Sequence, residues 1–347
     1  MPPPARPKRL GPYDIVAKIA GGGMATIYLG RAQDPDGTER VAAVKVLRGD
    51  LSNQDHALNM FLDEARILLR LSHENINRTL EYGESEGMHF IAMELLLGRT
   101  LMDVWDACAA KGLLLRLDLS AWIGARIADA LFHAHQLTDE KGTPLEVIHR
   151  DVNPSNIFLT YEGQVKLFDF GLAKALGRRA ESSAGVVKGK LPYLSPEQVM
   201  QFSIDHRSDI YTLGTTLWEM TTMRRLFKRD TDVETVKAVR SAVIPDARTL
   251  VPNYPQELWE IVRKALERNR ENRFSDGAQF AHALDAFAAK TKGETMSALI
   301  APILESLFPG DRARQMGWLR KTSALPRDST RGTIPPPVSL PAAPSKK

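Results

Sequence analysis

The chain of 347 residues is 43% hydrophobic and 25% charged, an ordinary globular make-up that excludes a wholly disordered, collagen-like or coiled-coil protein and allows a core of substantial size. Its one cysteine, Cys108, excludes an intrachain disulfide framework and a cysteine-built zinc site, and fits a reducing compartment. The 46 basic and 42 acidic side chains leave a net charge of +4, spread along the chain rather than gathered on one face, so no nucleic acid is expected as a partner.

The opening residues, MPPPARPKRL, are basic and proline-rich with no apolar centre. They read as a flexible arm over 1–12 and not as a secretion signal. No uncharged apolar run reaches the roughly 18 residues of a membrane span, so no span and a cytoplasmic location are expected. From Tyr13 to about Met93 short alternating runs dominate, with one helix among them. From about Leu101 to Phe287 the pattern is mainly helical. This order predicts an α+β protein of two lobes with a cleft between them: a small strand-rich lobe over 13–97 and a larger, mainly helical lobe over 98–290. A helical extension is expected over 291–320, where Met296–Phe308 has apolar residues at helical spacing that Pro302 interrupts. The Pro-, Ser-, Thr- and Lys-rich tail over 321–347 lacks apolar periodicity and is expected to be disordered.

Residues 19–30 read IAGGGMATIYLG, with strand-like residues on both sides of Gly21, Gly22 and Gly23. Glycines between two strands either make an ordinary turn or let backbone N–H groups approach a phosphate unobstructed. The predicted helix over about Asp55–Leu71 places Met60, Phe61, Ile67, Leu68 and Leu71 on one stripe, and Glu64 falls on that same face. A carboxylate there needs a partner. Lys45, in the otherwise apolar strand Val41–Leu47, has the same need. Either the two pair or both snorkel to solvent.

Two acidic loops follow. IHRDVNPSNIFL (148–159) puts Asp151 between apolar runs with Asn156 five residues on, and VKLFDFG (165–171) puts Asp169 at the end of another run. Two carboxylates and an amide at strand ends supply hard oxygens of the kind magnesium prefers. Glycine loop, AAVK, helical Glu, HRDxxxxN, DFG and SPE occur here in the order that the eukaryotic-like protein kinases carry them. The chain resembles that family from about Tyr13 to Phe287. The GGGMATIYLG form, the SPEQ ending and the extra stretch TDEKGTPLEV before the catalytic loop look most like bacterial Hanks-type serine/threonine kinases.

The resemblance implies the bilobal protein-kinase fold and a serine/threonine kinase that uses ATP and Mg²⁺, with Mn²⁺ as the alternative ion. Its substrates would be protein Ser/Thr hydroxyls, with self-association for autophosphorylation. It implies that Lys45 holds the α- and β-phosphates, Glu64 holds Lys45, Asp151 accepts the hydroxyl proton, and Asn156 and Asp169 bind the metal. The glycine loop would be Ile19, Ala20, Gly21, Gly22, Gly23, Met24, Ala25, Thr26 and Ile27. Met93 would be the gatekeeper, and the backbone of Glu94 and Leu96 would meet the adenine edge. Ile27 and Ala43 would cover one face of the adenine and Phe158 the other. Architectural roles fall to Asp209 on the catalytic-loop backbone, to a Glu197–Arg273 pair, and to a stack of Leu68, Leu80, His149 and Phe170. The apolar run Ser208–Met220 reads as a buried central helix.

Two departures stand out. The outer glycines of the loop pattern are Ala20 and Ala25. Where the family has a lysine two residues after the catalytic Asp and a threonine in the substrate-facing loop, this chain has Asn153 and Lys190. One site loses a cation and a nearby one gains it, so Lys190 is expected to compensate for Asn153. Arg150 would bind a phosphate on the segment between Asp169 and Glu197, where Ser182 and Ser183 are the expected autophosphorylation sites. The text VNPSN after HRD lacks the arginines of the family's tyrosine-specific members, so tyrosine specificity is not expected. The alternatives are a pseudokinase scaffold that binds ATP without efficient transfer, and a small-molecule phosphotransferase of similar fold.

Overall fold

The computed structural model describes residues 7–21, 25–34, 36–48, 55–170, 190–291, 293 and 295–323. The chain divides into two compact units, one of 1–72, 77–97 and 310–347, the other of 73–76 and 98–309.

The smaller unit is built on a six-stranded antiparallel sheet in the order β1-β2-β3-β4-β6-β5. Its strands are β1 (Arg9–Leu10), β2 (Tyr13–Gly21), β3 (Ala25–Gln33), β4 (Glu39–Leu47), β5 (Thr79–Ser85) and β6 (Met88–Glu94). Alternation along β4 decides its chemistry. Ala42, Val44 and Val46 join Leu10, Tyr13, Ile15 and Phe90 in a core on one face. Leu47, with Ala43 packed alongside, joins Phe61, Leu62, Ala65, Ile91 and Met93 on the other, where helix α1 (Asp55–Leu68) packs. Lys45 has the same parity as Ala43 and Leu47, so it falls on the helix side. The helix ends at Leu68 rather than Leu71, although Leu71 is buried. The arm expected over 1–12 is shortened by a strand: Leu10 is fully buried and pairs with Tyr13, because an apolar residue beside the sheet gains more from burial than a free arm gains from disorder. Residues 1–6 lie outside the described residues.

The larger unit carries a three-stranded sheet, β7 (Gly98–Thr100), β8 (Ile157–Thr160) and β9 (Val165–Leu167), in that order. Its helices are α2 (Leu101–Ala110), α3 (Leu117–His135), the single turn α4 (Pro196–Val199), α5 (Arg207–Thr222), α6 (Asp232–Ser241), α7 (Gln256–Ala265), α8 (Gly277–Ala288) and α9 (Met296–Leu307). Helix α5 is buried from Ser208 to Thr222. It can hold threonines there because Thr215, Thr216 and Thr222 return their hydroxyl protons to carbonyls one turn back, at 3.2, 3.2 and 2.7 Å.

The extension does not behave as one piece. Helix α9 lies against α2 and β8, and it continues through Pro302 instead of breaking there. Met296, Ile300, Leu304 and Leu307 form its buried stripe while Pro302 is exposed, so packing outweighs the lost backbone bond. Gly163, left-handed at φ +81°, has the Ser297 carbonyl oxygen 2.4 Å from where a Cβ would stand, so only glycine fits this contact. The chain then returns to the smaller unit as α10 (Asp311–Ser323), which lies against β3. Residues 324–347 of the expected tail lie outside the described residues. No described helix is long and apolar enough to cross a membrane.

Candidate active site

In the smaller unit the two open readings of Lys45 and Glu64 resolve into a pair: Lys45 Nζ donates to Glu64 Oε1 at 2.7 Å, with both side chains mostly buried. Ile19, Ala20 and Gly21 end β2, and Ala25, Thr26 and Ile27 open β3, with Ala20 opposite Ile27 and Gly21 opposite Thr26. Gly22, Gly23 and Met24 lie outside the described residues. Ala43 sits between Leu29 and Met93 in the sheet. Met93 is buried against α1. Glu94 spends its N–H on the Arg78 carbonyl at 2.9 Å and its Oε1 accepts the Arg78 N–H at 2.8 Å. Leu96 is half-buried in the stretch after β6.

In the larger unit the catalytic loop is assembled around Asp209 on the first turn of α5. Asp209 Oδ2 accepts the His149 N–H at 2.8 Å and lies 2.8 Å from His135 Nε2; Oδ1 accepts the Arg150 N–H at 2.8 Å. Burial alone would raise this carboxyl, but the His135 bond and the neighbouring donors hold it below the usual carboxylate range. Burial pushes the His149 imidazole down, so it is neutral. Its Nδ1 accepts the Asp151 N–H at 3.3 Å and its Nε2 donates to the Phe168 carbonyl at 3.3 Å, while its ring packs on Phe170 with centroids 4.5 Å apart. One histidine thus ties the Asp151 loop to the Asp169 loop. Leu68 and Leu80, the other two residues of the expected stack, belong to the smaller unit.

Asp151 is 5% exposed. Asn156 Nδ2 donates to its carbonyl at 2.8 Å and to its Oδ2 at 3.1 Å, which leaves Asn156 Oδ1 as the acceptor end of that amide. Asn156 precedes β8 and Asp169 follows β9, and the Phe168 N–H bonds the Asn156 carbonyl at 3.1 Å, so both oxygen ligands expected for a metal stand at one end of the hairpin. Asp169 and Arg150 take left-handed backbone angles, φ +55° and +64°, that side-chain-bearing residues rarely adopt. Phe158, on β8, meets Phe168 edge-on at 6.2 Å. Lys190 Nζ donates to Asp151 Oδ2. Asn153 turns inward: its Nδ2 donates to the Asp151 carbonyl at 2.8 Å and its Oδ1 caps the turn Pro154–Asn156 by accepting the Ser155 N–H at 2.9 Å. Ser182 and Ser183 lie outside the described residues.

Glu197 and Arg273 form a forked pair at 2.7 and 2.9 Å, and the Ser208 hydroxyl donates to Glu197 at 2.7 Å. Sequence reasoning missed a second buried network. Tyr193 donates to Glu219 Oε2 at 2.7 Å, Arg225 reaches both groups at 2.6 and 3.0 Å, and the Arg225 guanidinium stacks 3.9 Å from the Trp105 ring centre. Burial raises the Glu219 carboxyl. The available signal was a glutamate inside a helix with no exposed face.

A family model, the protein kinase domain, matches residues 13–286. The chain belongs to the protein kinase family. Within it the chain stands with the bacterial, eukaryotic-like (Hanks-type) kinases. It is 37% identical over 302 residues to a Myxococcus xanthus protein named tyrosine-protein kinase MasK, covering 87% of this chain and 47% of that one. It is 34% identical over 264 residues to the serine/threonine-protein kinase PrkC of Bacillus subtilis, covering 76% of this chain and 38% of that one. The solved kinase domain of Mycobacterium tuberculosis PknI aligns at a TM-score of 0.60 and 25% identity, over 81% of this chain and 97% of that domain. The chain therefore spans less than half the length of MasK and PrkC. Members of this family act on proteins and use ATP with a divalent metal.

Proposed function

We propose that this chain is a protein serine/threonine kinase that transfers the γ-phosphoryl group of ATP to protein hydroxyls. The observation that carries the reading is Asp151: a buried carboxylate, oriented by Asn156, in a loop whose backbone hangs on Asp209. The substrate hydroxyl oxygen bonds the γ-phosphorus as the bond to the bridging oxygen breaks. ADP leaves with that electron pair, and the hydroxyl proton passes to Asp151. Lys45, oriented by Glu64, holds the non-transferred phosphates.

The donor set fits a magnesium ion, since the Asn156 amide presents its oxygen and Asp169 adds a carboxylate at the same end of the hairpin. Bound there, the ion supplies charge neutralisation across the phosphates. On the smaller unit, Ile27, Ala43, Met93 and the backbone at Glu94 and Leu96 are the residues this reading assigns to the adenine. Autophosphorylation at Ser182 or Ser183, in a second copy of the chain, is part of the reading.

A second reading, transfer to tyrosine, is favoured by one observation: the relative that is 37% identical carries the name of a tyrosine kinase. Transfer from labelled MgATP to a mixed protein substrate, followed by phospho-amino-acid analysis, separates the two. Phosphoserine and phosphothreonine that vanish in Asp151→Asn are expected. Phosphotyrosine alone would favour the second reading, and no label with retained ATP binding would identify a pseudokinase scaffold.

A further inference from the structure

On the kinase reading above, the transferred phosphoryl group needs a cation beside it. The catalytic loop does not offer one next to Asp151 from Asn153. That side chain is 3% exposed and both ends of its amide are engaged in shaping the loop. The Arg150 backbone is held at both ends, its N–H by Asp209 and its carbonyl by Gln198 Nε2 at 3.3 Å. Among the described residues, the cation hydrogen-bonded to the Asp151 carboxylate is Lys190.

Lys190 is built to present that amine. Its carbonyl accepts the Tyr193 N–H at 3.0 Å, and the next residues, Pro192 and Tyr193, are buried. Tyr193 is fastened to Glu219 on α5 and to Arg225. The backbone of the segment is therefore anchored, while the lysine side chain remains 39% exposed with its Nζ on Asp151. The carboxylate end of this contact is buried but the ammonium end is open to solvent, so the amine has room to turn from Asp151 to another oxygen. A hydroxyl that gives its proton to Asp151 must stand within hydrogen-bond reach of it. The phosphorus being attacked is then one bond further on, within reach of the same ammonium.

We propose that Lys190 supplies the cation for the transferred phosphoryl group, exchanging its bond to Asp151 Oδ2 for one to a phosphoryl oxygen as the substrate binds, and that Asn153 is a loop cap that leaves this task to the substrate-facing segment. It follows that seating Tyr193 on Glu219 and completing the phosphoryl site are one event, because the same short stretch of chain does both.

The test uses the full chain and five variants: Lys190→Met, Lys190→Thr, the double variant Lys190→Thr/Asn153→Lys, and Tyr193→Phe in the wild type and in that double variant. For Lys190→Met, kcat should fall by about 10²-fold or more, while ATP affinity by direct binding and the urea unfolding midpoint stay at wild-type values. Restoring a lysine at 153 should recover kcat by at least about ten-fold over Lys190→Thr alone. Tyr193→Phe should lower kcat several-fold in the wild type and not in the double variant, where the cation no longer rides on the Tyr193 segment. Affinity for ADP with aluminium fluoride, which resembles the transferring group, should weaken in Lys190→Met while ADP affinity does not. A Lys190→Met variant that keeps kcat within about three-fold of an active wild type, or that weakens ADP and its aluminium fluoride complex equally, overturns the proposal while leaving the kinase reading intact. A wild type that transfers no phosphate overturns the kinase reading itself.

Discussion

The protein contains two ion pairs of similar chemistry and different construction. Glu197 and Arg273 are nearly or wholly buried, at 8% and 0% side-chain exposure. The guanidinium makes a fork to the carboxylate and further bonds to the carbonyls of Glu267, Arg207 and Arg268 at 2.8, 3.0 and 3.2 Å, while Ser208 completes the carboxylate. Lys45 and Glu64 meet through one amine hydrogen on one carboxylate oxygen, each at the end of a long, rotatable side chain. The first pair is fixed by many donors and acceptors that are themselves part of the backbone. The second can re-form around a phosphate at small cost. A pair that holds the fold is over-determined, and a pair that handles a ligand keeps freedom to exchange partners.

Breaking the first pair should show the largest effect. Arg273→Met strands a buried carboxylate and should cost about 3–5 kcal/mol of unfolding free energy, read by urea titration. Lys45→Met also leaves a buried carboxylate, Glu64, without its 2.7 Å partner, so it should lower the unfolding midpoint too, by less than Arg273→Met because no backbone fork is lost with it, while reducing phosphoryl transfer by at least about 10²-fold. Equal destabilisation by the two variants would erase the distinction.

Acidification should sharpen the same contrast through groups buried in the larger unit. His149 is pushed down by burial, and the half-buried His133 by its partial burial and by the nearby His73. In the unfolded chain they take up protons near their ordinary value of about 6.5, so stability should start to fall as the pH drops through that value. Glu197 and Asp209 are opposed by burial, yet their hydrogen bonds hold both carboxyls below the ordinary range. Their contribution is fully present above about pH 4 and should be lost as the pH falls further. Glu219, raised by burial, has the opposite sign: its protonation favours the folded state at low pH, and that gain is lost as the pH rises through its own value. Urea midpoints between neutral pH and about pH 3 should therefore fall in two steps. The smallest effect is expected for Asn153→Ala, which removes a cap and should cost about 1 kcal/mol by the same titration.

The sequence made the smaller unit partly legible: the strand over 41–47 and the helical stripe over 60–68 give Lys45 and Glu64 the same need of a partner, and only the structure decides between pairing and snorkelling. It made the oxygen cluster legible because Asp151, Asn156 and Asp169 are close to their strands in sequence. What it could not resolve depends on long-range contacts. The exchange of a cation between 153 and 190 predicts that Lys190 reaches back to Asp151, as it does, but not what anchors its segment: Tyr193 is fastened to a helix that begins at Arg207 and to Arg225 beyond it. The Tyr193, Glu219, Arg225 and Trp105 network draws on four separate stretches of chain, and no local pattern links them. A local rule makes Pro302 an interruption, but the stability of this helix comes from its buried stripe. Leu10 falls within the expected arm because two residues of strand are too few to show a period.

The return of the chain to the smaller unit has a practical consequence for where this protein can be cut. The match to the protein kinase family stops at residue 286, yet Ile300 and Leu304 of α9 are almost wholly buried, and α10 lies against β3. A shortened protein that ends where the family pattern ends would expose the surface beneath both helices, and it should aggregate or melt early. The stretch that matches the family is thus shorter than the stretch whose apolar surface this fold buries.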